Sequence, residues 1–134
     1  MNDYQTALIH TMVLVSAADR EMTDAELLTI GDTVKHLPVF AGYETDKLVA
    51  AAQDCAELLN QTEGFNQVIE KICDNLPPKL AETAYALACD VAAADRKVSQ
   101  EELALLAVLR QRLGVGRLPA AAIERGARAR YMQA

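Results

Sequence analysis

The feature that most constrains this chain is a repeat. VSAADREMTDAEL (Val15–Leu27) returns as VAAADRKVSQEEL (Val91–Leu103), an offset of 76 residues. Aligned over 12–37 and 88–113, the two segments share eight identities in 26 positions, including both Asp-Arg and both Glu-Leu pairs. Each copy runs from an apolar segment, through a short acidic stretch, into a segment opened by Thr23 or Ser99. That is the pattern of helix, loop, helix. Two such units are expected to pack about a pseudo-two-fold axis, which commits the chain to a compact all-α bundle.

Punctuation divides the rest. Helix 1 is expected over about residues 3–18. Helix 2 follows Thr23 and stops near Leu37, because Pro38 restricts the residue before it. Thr45 is the expected N-cap of helix 3, which continues to about Gln61, and Gly64 separates it from helix 4 over about 65–76. Pro77-Pro78 breaks the chain before helix 5, which ends near Ala94. Helix 6 runs from Ser99 to Leu113 with Gly114 as its C′ residue, and helix 7 opens near Pro119. Seven helices with short connections make one domain of 134 residues, a length that can bury a sizeable core. Ala and Leu dominate and aromatics are only 4%, which favours helix over sheet.

Charge is distributed unevenly. Residues 1–109 carry 7 basic and 18 acidic side chains, whereas residues 110–134 carry six Arg against Glu124 alone. An acidic body disfavours nucleic acid and suits cations. The basic end is either a solvated helix face or a surface that docks on an acidic partner or on the chain's own body. No apolar run reaches the roughly 20 residues that span a bilayer, and the acidic start with no Lys or Arg argues against a secretory signal. Cys55, Cys73 and Cys89 have no C-x-x-C spacing and read as small buried hydrophobes in a reducing, cytoplasmic compartment.

The acidic loops carry the chemistry. Asp19 with Glu26, and Asp95 with Glu102, repeat the pattern D-x-x-x-x-x-x-E. A turn between helices can bring such carboxylates together as oxygen ligands for a hard divalent cation, Ca, Mg or Mn rather than Zn. The competing reading is structural. Thr23-Asp-Ala-Glu26 and Ser99-Gln-Glu-Glu102 are capping boxes, which account for both glutamates without a metal. Asp19 and Asp95 are different, since they follow helix C-termini, where the dipole disfavours negative charge. Asp90 is a further candidate on helix 5. The stretch from Asp90 to Glu101 is not an EF-hand, because Ala92 and Ala94 stand where ligands belong and Asp95 where glycine is required.

Two copies of A-A-D-x-x-[MV]-[TS]-x-x-E-L, about 75 residues apart in a seven-helix chain, resemble the TerB-like tellurite-resistance family over essentially the whole length. The resemblance implies an all-α fold, acidic loops that bind metal through Asp19, Glu26, Asp95 and Glu102, and a role in stress or tellurite resistance. One departure stands out. The family commonly has Gly after each loop Asp, and here Arg20 and Arg96 occupy those positions. Gly permits positive φ at no steric cost, so Arg implies another loop conformation and a side chain that competes with a cation for the carboxylates.

Enzymatic signatures are missing. There is no Gly-rich phosphate loop, H-E-x-x-H or serine elbow. Of the two histidines, His10 is expected to be a satisfied core residue and His36 an exposed one. The sequence therefore points to a non-enzymatic metal-binding accessory protein. The alternative is a metal-free helical adaptor that engages a protein partner through helix 7 or the PVFAGYE loop.

Overall fold

A computed structural model describes residues 3–18, 23–94 and 98–134. Seven α-helices form it: α1 (Asp3–Ser16), α2 (Asp24–His36), α3 (Leu48–Leu59), α4 (Gly64–Asn75), α5 (Ala81–Ala93), α6 (Gln100–Leu113) and α7 (Arg117–Arg130). Among the described residues there is no strand.

α1 is the axis of the bundle. Every residue from Ala7 to Ser16 is buried, so this stretch of the helix has no solvent face, as expected of a segment apolar nearly all round. It packs against α3, α4 and α5, with further contacts to α2 and α6. α5 is almost as enclosed, burying Ala84, Tyr85, Leu87, Ala88, Val91 and Ala92. Contacts between the two helix pairs are reciprocal: α2 touches α5, and α6 touches α1. Two buried polar side chains on α1 donate to backbone carbonyls. Thr11 Oγ1 donates to the Ala7 carbonyl at 2.8 Å. Gln5 Nε2 donates to the Val39 carbonyl at 3.1 Å, which ties the start of α1 to the turn after α2.

Several boundaries differ from the sequence expectation, each for a physical reason. Thr45 does not cap α3. It opens a 3₁₀ turn (Thr45–Lys47), and the helix begins behind Lys47 with no side-chain cap. The Glu44 and Thr45 carbonyls accept the amides of Lys47 and Leu48, so entry is satisfied by backbone alone. Gly64 is the first residue of α4 rather than a spacer. A Cβ there would lie 2.4 Å from the Leu58 carbonyl oxygen and 2.6 Å from that of Leu59. The preceding Glu63 takes the left-handed conformation at φ 58. α7 starts two residues ahead of Pro119, which sits in the first turn, where a helix can spare an amide.

The end of α6 follows expectation. Gly114 has φ 73. Its amide donates to the Gln111 carbonyl and the amide of Val115 to that of Arg110, both at 3.1 Å. This is the Schellman arrangement that a C′ glycine makes possible.

Candidate functional site

The repeated motif becomes two capping boxes. Thr23 Oγ1 accepts from the Glu26 amide at 3.2 Å, and Glu26 Oε1 accepts from the Thr23 amide at 3.0 Å. Ser99 and Glu102 repeat both bonds, each at 3.0 Å. The helix-end chemistry alone would allow an exposed carboxylate. Here the glutamates turn inward, and Glu26 is 1% and Glu102 0% exposed. A buried carboxylate needs donors, and Glu26 has a second one: Ser16 Oγ donates to Oε1 at 3.2 Å. At the repeat-equivalent position of Ser16 stands Ala92, so the second turn lacks that hydroxyl.

The structure thus brings Glu26 together with Thr23 and Ser16, and Glu102 with Ser99. Asp19 and Asp95 lie outside the described residues, as do Arg20 and Arg96. Among the described residues no group of three or more His, Cys, Asp or Glu side chains is gathered as a metal site. Each turn presents oxygen atoms, one buried carboxylate and a capping hydroxyl. That donor set matches a hard cation and not a thiophilic one.

Other candidate groups are accounted for in part as expected and in part otherwise. Asp90 is taken up by an ion pair with Arg130 of α7, so part of the basic end docks on the chain's own acidic body. His10 is in the core at 1% exposure, but it is not satisfied: neither ring nitrogen has a hydrogen-bond partner of good geometry. Burial, and then the Lys71 charge, push its pKa below the usual histidine value, while the Ala51 backbone and Asp54 offset this in part. Burial raises the thiols of Cys55 and Cys89 to about 12, which keeps them protonated and unreactive. Cys73 departs from the expectation of a buried thiol, being only partly buried, though burial still raises its pKa.

The sequence reading gave no sign of a pocket. A cavity of about 690 Å³ opens between α5, α6 and α7. Its walls are helix faces at i, i+3/i+4, i+7 spacing: Tyr85, Cys89 and Ala92 on α5, then Leu103, Leu106 and Arg110 on α6. From α7 come Glu124, Ala127, Arg128 and the following Tyr131. Tyr85 donates its hydroxyl to Glu124 Oε2 at 2.6 Å across the α5–α7 contact. The periodicity was visible in each helix, but nothing local says that three such faces converge.

No described helix is long and apolar enough to cross a membrane. No curated protein and no solved structure matches the chain. The family model described as Tellurite resistance protein TerB matches residues 5–125, nearly the whole length and both capping-box turns. This chain belongs to the TerB family.

Proposed function

We propose that this TerB-family chain is a non-enzymatic, cytoplasmic accessory protein of a stress or tellurite-resistance response that binds a hard divalent cation at its two acidic turns. The observation carrying this reading is the inward burial of Glu26 and Glu102 beside the loops that hold Asp19 and Asp95. Their capping amides, and Ser16 for Glu26, hold these carboxylates inward, which keeps an oxygen ligand of the kind a hard cation takes beside each loop. Three unpaired cysteines support a reducing compartment.

Under this reading Glu26 and Asp19 serve one turn, and Glu102 and Asp95 the other. Calorimetric titration with Ca²⁺, Mg²⁺, Mn²⁺ and Zn²⁺ tests it. Saturable binding of one of the first three, lost in Glu26→Gln with Glu102→Gln, is the expected result. No heat with any of them would exclude the metal role.

One observation favours a second reading, the metal-free adaptor. Leu27 and Leu28, where the first turn of α2 passes into the second, are 47% and 66% exposed, and exposed leucines beside a loop suit a protein partner.

A further inference from the structure

Besides the acidic turns, the cavity between α5, α6 and α7 has the makings of a ligand site, and its case is independent of any metal. Its volume of about 690 Å³ falls in the range of small-molecule sites. The floor is apolar, built from Ala92, Leu106 and Ala127, all buried. The rim is polar and charged, with Arg110, Arg128 and Glu124.

The polar groups are not equivalent. Glu124 is already engaged by the Tyr85 hydroxyl, and Arg130, just outside, is engaged by Asp90. Arg110 is different. Its Nε is buried and has no hydrogen-bond partner, and among the described residues it forms no ion pair. A buried guanidinium donor without an acceptor is costly, and the guanidinium fork matches a carboxylate in two parallel bonds.

We propose that this cavity binds an apolar monocarboxylic acid, with Arg110 holding the carboxylate and the Ala92, Leu106 and Ala127 surfaces holding the hydrocarbon chain. Binding is non-covalent. The Cys89 thiol at the wall is buried and protonated, so it is no nucleophile. Arg128 adds long-range attraction at the mouth, and Met132, 62% exposed, supplies an adaptable apolar wall.

The test uses the full chain with decanoate below its micellar concentration, and decan-1-ol as the uncharged control. Calorimetry should show one decanoate per chain, binding at least tenfold more tightly than decanol. The Met132 methyl resonance should shift on binding. Arg110→Gln should weaken decanoate at least tenfold and leave decanol unchanged, and Arg110→Lys should recover part of the loss. Absence of saturable decanoate binding would overturn the proposal. So would equal affinity of the wild-type chain for decanoate and decanol, which needs no variant to fold. Undiminished binding by Arg110→Gln, or perturbation confined to resonances away from the cavity, would overturn it as well.

Discussion

Ser16 and Glu26, ten residues apart in sequence, meet at 3.2 Å, the hydroxyl of one donating to the buried carboxylate of the other. This bond joins the last turn of α1 to the first turn of α2. The loop between them is thereby closed at both ends, by Ser16 on one side and the Thr23 capping box on the other.

The caps can be tested one by one. Thr23→Ala and Ser99→Ala should each destabilise by about 0.5–2 kcal/mol in urea unfolding. Ser16→Ala should cost about 1.5–3 kcal/mol, because it removes a hydrogen bond to a charged group in a site that water does not reach. Ala92 occupies the equivalent place in the second turn, so Ala92→Gly should show no comparable hydrogen-bond loss in a double-mutant cycle with Glu102→Gln. The Ser16→Ala and Glu26→Gln cycle should show one.

His10 makes stability depend on acid. Its folded-state pKa lies below the unfolded value near 6.5, so the unfolded chain binds the proton more readily. Stability is therefore fully present above about pH 6.5 and is lost as pH falls below it, with a slope of at most about 1.4 kcal/mol per pH unit for one proton. Urea midpoints measured between pH 5 and 8 should decline toward acid, and His10→Leu should flatten that decline. An unchanged slope in the variant would assign the acid sensitivity to other groups.

Gly64 is fixed by a close approach and not by its torsion angles. Gly64→Ala would drive a methyl group against the Leu58 and Leu59 carbonyls, which are backbone atoms that cannot rotate away. A loss of at least about 1–3 kcal/mol is expected. Ala at Gly31, where nothing lies within 4 Å of the added carbon, should be neutral or stabilising, since it sits inside α2. Thermal unfolding of the two variants makes the comparison.

Much of the fold was legible because its signals are local. Pro38 and the Pro77-Pro78 pair mark helix ends through their torsional limits, and Gly114 through its freedom to take positive φ. Thr23 and Ser99 mark helix starts because a capping box is complete within four residues. Thr45 misled for the converse reason: it carries a cap's side chain, but Glu44 and its own carbonyl already satisfy the entering amides. The burial of Glu26 and Glu102 was not legible, since it depends on how deeply each turn settles against the neighbouring helices. The pairing of Asp90 with Arg130 and of Tyr85 with Glu124 spans about 40 residues of chain. No spacing rule within one helix reports such contacts. His10 is expected in the core from its place in mid-helix, and only the packing around it showed that its nitrogens lack a hydrogen-bond partner of good geometry.

The most direct test of the metal reading is thermal unfolding with and without millimolar Ca²⁺, Mg²⁺ or Mn²⁺. A cation that binds only the folded chain stabilises it by mass action, about 2.7 kcal/mol at a hundredfold excess over Kd, which is a rise of several degrees in Tm for a domain of this size. Asp19→Asn together with Asp95→Asn should abolish that rise while leaving the metal-free Tm unchanged or higher, because a negative charge after a helix C-terminus is unfavourable. Wild-type melting curves that coincide with and without all three cations would contradict the account.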